Sequence, residues 1–277
     1  MYRVSKVLNN NGVIAIDMDE NQEYVILGKG VGFGKKVSQR FDKPQECTMY
    51  RLTQETERGS AKELVKGIEP EYLEIADAIL TEAQKVFGDS IDRGILFPLA
   101  DHISFAVARI RRNEQISNPL TEDIKVLFYS EFKVAETLKT ILKERLQIEI
   151  DDHEVGYVAL HIHSAIGDEK VSVAMQTARA VRECIDMIEK ATGKPIDVLS
   201  LSYNRLMNHM KYMVARASTG EKLNLDMNEY MLDQYPQAYK VATDICKNLE
   251  GCIGHKLDET ETGYLAMHIQ RVYKDAV

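Results

Sequence analysis

Four histidines come in two identically spaced pairs. His102 precedes His161 by 59 residues, and His209 precedes His268 by the same 59. Imidazole is largely neutral near pH 7 and nucleophilic, so it can take up a phosphoryl group. A phosphoryl group would place close to two negative charges on one side chain, enough to reset a domain interface. Arg109 and Arg216 each lie seven residues after the first histidine of a pair. At helical spacing that is the same face, where a guanidinium can neutralise phosphate. Two other readings compete with phosphoryl acceptance. Duplicated domains can simply retain core histidines, but here both histidines survive in both copies alongside Gly and Tyr. A metal site needs more ligands than two per domain, and His161-Ile162-His163 is not echoed by His268-Ile269-Gln270. No metal and no cofactor are expected.

The pairs sit inside an internal repeat at an offset of 107 residues. Leu99, His102, Val107, Ala108 and Arg109 recur as Leu206, His209, Val214, Ala215 and Arg216. Lys133-Val134-Ala135 recurs as Lys240-Val241-Ala242. Asp151, Glu154, Gly156, Tyr157, Ala159, His161 and Ile162 recur as Asp258, Glu261, Gly263, Tyr264, Ala266, His268 and Ile269, all without a gap. From about Ala61 onward the apolar pattern has a period of 3.6, as in Leu99, Ile103, Ala106 and Ile110. Two homologous helical domains are therefore expected, at 61–170 and 171–277. Asp151-x-x-Glu154 and Asp258-x-x-Glu261 read as capping boxes opening the helix of each second histidine.

Residues 1–58 read as β structure. Short apolar runs around Val4–Leu8, Val13–Ile16, Tyr24–Leu27 and Thr48–Leu52 are separated by polar turns, the first at Asn9-Asn10-Asn11-Gly12. Such a unit has a thin core, which dimerisation would complete. The glycines of Gly28-Lys29-Gly30-Val31-Gly32-Phe33-Gly34-Lys35-Lys36 alternate and match neither the dinucleotide fingerprint nor the phosphate loop. Backbone without Cβ can approach a ligand closely, and Phe33 among lysines suits stacking on a base with cations on phosphates.

Net charge over the 277 residues is −8, which argues against nonspecific nucleic-acid binding. Residues 1–58 hold nine Lys/Arg against eight Asp/Glu, whereas the remainder holds 26 against 35, so only the first segment suits a polyanion. The four scattered cysteines include no C-x-x-C pair and read as buried thiols of a reducing compartment. No apolar run approaches a membrane span, and Met1-Tyr2-Arg3-Val4-Ser5-Lys6 is not followed by a signal-peptide core. A cytoplasmic chain without membrane insertion is expected.

In order and spacing, several motifs together resemble the BglG/LicT/SacY family of bacterial transcriptional antiterminators. They are Lys6-Val7-Leu8-Asn9-Asn10-Asn11, the glycine loop, Asp101-His102, Gly156-Tyr157-Val158-Ala159-Leu160-His161, Asn208-His209 and Ala266-Met267-His268-Ile269. The likeness covers essentially the whole chain. It implies a small, dimeric, antiparallel β domain that binds RNA (1–58), followed by two all-α helical-bundle regulation domains of the sugar phosphotransferase system (61–170 and 171–277). Gly12 stands as an insertion against the commoner Asn-Asn-Asn-Val order, and Lys29 replaces a common Arg. Gly-Lys-Gly with Phe-Gly-Lys-Lys looks more like the glucose-type branch than the β-glucoside one.

What the resemblance implies is specific. The β dimer would bind a leader-mRNA hairpin and block an overlapping terminator upstream of a sugar-utilisation gene. Asn10, Asn11, Gly28, Lys29, Gly30 and Phe33 would touch RNA, with Lys6, Lys35 and Lys36 on phosphates. His102 and His161, then His209 and His268, would receive phosphoryl groups from a sugar-specific enzyme II permease and from HPr. Asp101, Arg109 and Arg216 would neighbour them. The expected protein is a regulator and not an enzyme. A DNA-binding activator would need a helix-turn-helix where residues 1–58 show strands. An enzyme using His102 and His161 as acid and base lacks a recognisable nucleophile or cofactor loop.

Overall fold

A computed structural model describes residues 1–52, 55–56, 59–167, 170–193, 195–197 and 200–275. By its internal contacts the chain divides into two units. One comprises Met1–Asn118 with Ser130–Lys170, the other Pro119–Tyr129 with Val171–Val277.

The first unit opens with β1 (Tyr2–Asn9), β2 (Gly12–Asp17), β3 (Glu23–Leu27), β4 (Arg40–Phe41) and β5 (Thr48–Arg51), in the sheet order β4-β1-β2-β3-β5. All pairings are antiparallel. The short edge strand β4 was not expected from the sequence, since two residues carry no alternation to read. A separate hairpin joins β6 (Glu55–Thr56) to β7 (Gly59–Ser60). One sheet face buries Val13, Ala15 and Ile26 with Val31 of the glycine loop. On the other face Ile14, Val25 and Tyr50 lie side by side across β2, β3 and β5, all buried. There Tyr50 meets Phe97 edge to face at 6.3 Å. Helices of the same unit thus close the face that a bare sheet of this size would expose.

Those helices are α1 (Ala61–Gly67), α2 (Pro70–Phe87) and α3 (Leu96–Arg111), then α5 (Tyr129–Ala135), α6 (Thr137–Leu146) and α7 (Asp152–Gly167). Between them in the chain lies α4 (Thr121–Leu127). The second unit holds α4, α8 (Val171–Thr192), α9 (Leu201–Thr219), α10 (Asn228–Gln234), α11 (Pro236–Ile253) and α12 (Thr260–Asp275). The helical onset at Ala61 falls where the period changes. The sequence repeat is also a repeat of elements: α3 corresponds to α9, α4 to α10, and α7 to α12. Where α11 is continuous, its counterpart is broken into α5 and α6 at Glu136. Gly263 has a local purpose. A Cβ there would stand 2.7 Å from backbone atoms of Met227 and Asn228, so its absence lets α12 lie against the start of α10.

Among the described residues no helix is long and apolar enough to cross a membrane. All four cysteines are free thiols. Cys184 and Cys246 are buried, and burial pushes the Cys246 thiol up to about 11. Contrary to the expectation of uniformly buried thiols, Cys47 is half-buried and Cys252 exposed.

Candidate functional site

The two histidine pairs close in space. In the first helical domain α3 carries His102 and α7 carries His161, with ring centroids 5.3 Å apart. In the second, α9 carries His209 and α12 carries His268, stacked at 4.8 Å. Local sequence explains the helix placements. Ser200 caps α9 by accepting from the Tyr203 amide, and Asp151 Oδ1 accepts from the amides of His153 and Glu154 at the start of α7.

The glutamates of the expected capping boxes do something else. Asp151 fills the capping role, but the Glu154 carboxylate does not turn back to the helix start. It is 3% exposed, accepts from Arg109 at 2.8 Å and lies 3.4 Å from His102 Nε2. Glu261 is 1% exposed and receives Arg216 through a fork, at 2.6 and 2.9 Å, with His209 Nε2 at 3.7 Å. Asp258 instead caps through Thr260. Each site is therefore a His–His–Glu–Arg group, with Tyr157 or Tyr264 about 6 Å from the first histidine ring. The signal was present in the sequence, since His, Arg, Glu and Tyr recur together at the 107-residue offset. The arginines expected beside the histidines are there, each held by a carboxylate. Asp101 is half-buried next to His102 on α3.

Burial governs the electrostatics. It pushes His209 down to about 3, helped by the charges of His268 and Arg216, and His268 down to about 4, helped by Arg271 and Arg205. Both are neutral imidazoles at physiological pH, the nucleophilic form. Burial pushes the Glu154 carboxyl up, but the facing His102 and Arg109 outweigh it and hold the group below its ordinary range. The non-repeated histidines stand elsewhere. His153 Nδ1 accepts from the Asn118 amide at 3.3 Å, and His163 Nδ1 lies 2.9 Å from Glu131. Among the described residues no cluster of three or more His, Cys, Asp or Glu is arranged to hold a metal ion.

In the β domain the asparagine turn and the glycine loop form one surface. The Gly28 amide donates to the Asn11 carbonyl, the Gly32 amide to the Asn10 carbonyl, and the Gly30 amide to Asn11 Oδ1. Gly32 must be glycine because a Cβ would lie 2.0 Å from the Asn9 carbonyl oxygen, and Gly30 has φ +73°. Val31 anchors the loop in the core while Phe33 stands 73% exposed. Lys6, Lys29 and Lys36 are exposed, and Lys35 lies over the Phe41 ring at 4.8 Å. Asn10 contributes its carbonyl to the loop. The side chains that order the turn belong to Asn11, as expected, and to Asn9, which the sequence does not single out. Asn9 Oδ1 accepts from the Asn11 amide at 2.8 Å.

A β module with a glycine loop is followed by duplicated helical modules, each with a closed histidine pair. Comparison with known proteins identifies this arrangement. Residues 2–59 match the CAT RNA binding domain, and residues 77–165 and 182–272 match the PRD domain. The chain belongs to the family of transcription antiterminators that join a CAT RNA-binding domain to PRD domains. It is 30% identical to the GlcA/glcB genes antiterminator of Staphylococcus carnosus (strain TM300) over 274 residues, covering 97% of this chain and 94% of that one. It is 27% identical to transcription antiterminator LicT of Bacillus subtilis (strain 168), covering 99% and 100%. The crystal structure of GlcT CAT-PRDI is similar at TM-score 0.52 and 30% identity, over 60% of this chain and 98% of that chain.

Proposed function

We propose that this protein is a cytoplasmic antiterminator that binds a leader-mRNA hairpin as a homodimer and is switched by phosphorylation of His102, His161, His209 and His268. Phosphoryl groups are received and returned, with no substrate turned over, so it is not an enzyme. HPr and a sugar-specific enzyme II permease are the donors, and a glucose-type or β-glucoside-type sugar is the signal. The observation that carries the reading is the closure of both histidine pairs, at 5.3 and 4.8 Å, each beside an arginine held by a buried glutamate. An acceptor nitrogen uses its lone pair to take the phosphoryl group as the donor's own side chain leaves and takes up a proton. The new dianion then competes with Glu154 or Glu261 for the neighbouring arginine, and that exchange repacks the helices around it. In the first domain the repacking opens the dimer, so two β domains no longer grip one RNA.

On the RNA side, Asn10, Asn11, Gly28, Lys29, Gly30 and Phe33 meet unpaired bases, with Lys6, Lys35 and Lys36 on phosphates. Internal loops of a hairpin present such bases, which a closed A-form helix hides. The test is a binding titration of the full chain with leader hairpins and with DNA of the same sequence at two salt concentrations. It is repeated after treatment with HPr and its phosphoryl source. RNA-selective, salt-sensitive binding that changes on phosphorylation supports the reading. Absence of any preferred hairpin after selection from transcript leaders overturns it.

A further inference from the structure

The outward amides of the asparagine turn are already occupied. Asn9 Nδ2 donates to Glu74 Oε1 at 2.6 Å and Asn11 Nδ2 to Glu74 Oε2 at 3.1 Å. Glu74 sits on α2, in the helical part of the first unit. The two amides do not need it to be oriented. Asn9 Oδ1 is held by the Asn11 amide and Asn11 Oδ1 by the Gly30 amide, so both NH2 groups face out whatever they meet. They form a fixed pair of donors, suited to one two-oxygen acceptor.

We propose that Glu74 is an internal competitor for the RNA face: its carboxylate fills the donor pair that a nucleic-acid acceptor, a phosphate or a base carbonyl, would otherwise take. The inference rests on the RNA-binding reading of the asparagine turn. The charge has the wrong sign to assist, because a carboxylate beside an incoming phosphate repels it. The seat is built from the same helix one turn further on, where Asp77 accepts from Arg93 at 2.8 Å and from the Tyr50 hydroxyl of β5. Asp77 thus tethers α2 to the sheet, while Glu74 covers the turn. Arg145 Nη1, 3.9 Å from Glu74 Oε2, is near enough to receive the carboxylate when it leaves the amides. A movement of α2 that draws Glu74 off the turn then opens the donor pair to RNA.

The test uses the full chain and a hairpin selected from transcript leaders. Glu74→Ala is expected to bind RNA about tenfold tighter than wild type, and Glu74→Gln about threefold tighter, since its amide oxygen still accepts one bond. Phe33→Ala is the control and weakens binding in either background. Unchanged or weaker binding by Glu74→Ala, with Phe33 still required, overturns the competitor role and leaves the RNA reading standing. No RNA binding by any variant overturns both. If thermal melting shows that Glu74→Ala does not fold, the isosteric Gln variant carries the same comparison. Hydrogen exchange in residues 70–77 of wild type should rise when RNA binds, and unchanged protection there also overturns the proposal.

Discussion

The two histidine sites use the same residue types and differ in how one guanidinium is held. In the second domain Arg216 grips Glu261 with a two-point fork, and the carboxylate stands 3.7 Å from His209. In the first, Arg109 makes a single bond to Glu154, and the carboxylate leans to 3.4 Å from His102. The histidine rings follow suit, stacked at 23° in the second site and tilted at 48° in the first. A fork engages both carboxylate oxygens, and the imidazole of His209 stands farther from the carboxylate. A single bond leaves one oxygen for the histidine. Duplication therefore preserves the parts list, while one side-chain geometry sets how strongly each histidine feels a negative neighbour.

The most forceful way to break the comparison is to remove each arginine. Arg216→Ala strands a carboxylate that is 1% exposed and should destabilise the second domain by about 3–5 kcal/mol. Arg109→Ala, at a side chain 27% exposed and with one bond to lose, should cost about 2 kcal/mol. Urea unfolding of each variant measures both, and equal losses would erase the distinction.

Acid should act next. His209 and His268 fall to about 3 and about 4 in the fold, below their unfolded value, so the unfolded chain binds more protons between those values and about 6.5. Stability is therefore full above pH 6.5 and is lost as pH falls toward 4 and 3, on the order of 1–2 kcal/mol per histidine by pH 5. Melting temperatures of wild type against a His209→Asn/His268→Asn variant test this. A variant as acid-sensitive as wild type would contradict it.

Access to donors sharpens the contrast further. His268 is half-buried, whereas His102, His161 and His209 are at most 8% exposed. Phosphorylation by HPr should reach His268 several-fold faster than the others, as mass spectrometry under conditions that spare phosphohistidine would record. The smallest effect is expected from arginine-to-lysine exchange. Arg216→Lys loses the fork and about 1 kcal/mol, while Arg109→Lys loses only a few tenths. Thermal melts of the pair would rank them.

Much of this was legible in one dimension. Strands β1, β2, β3 and β5 announce themselves by alternation and polar turns, and the helical onset at Ala61 by a change of period. The histidine pairs emerge from the 107-residue offset without any structure. Glu154 and Glu261 were visible as repeated residues but not as partners of histidine. An Asp-x-x-Glu pattern fits a capping box equally well, and only the burial of those carboxylates separates the two roles. The asparagine turn was located, but the pair of outward amides falls to Asn9 and Asn11, because the bulge between Val7 and Asn9 sets which side chains leave the ladder.

Residue type and period determined the antiparallel sheet, the duplicated helical domains and the identity of the paired histidines, because these depend on interactions a few residues long or on a repeat written into the chain. Tertiary structure alone decided which carboxylate meets which arginine and that Glu74 covers the asparagine turn. Those contacts join residues 45 to 65 positions apart, and helix docking angles and burial, which no local pattern encodes, choose among many equally charged candidates.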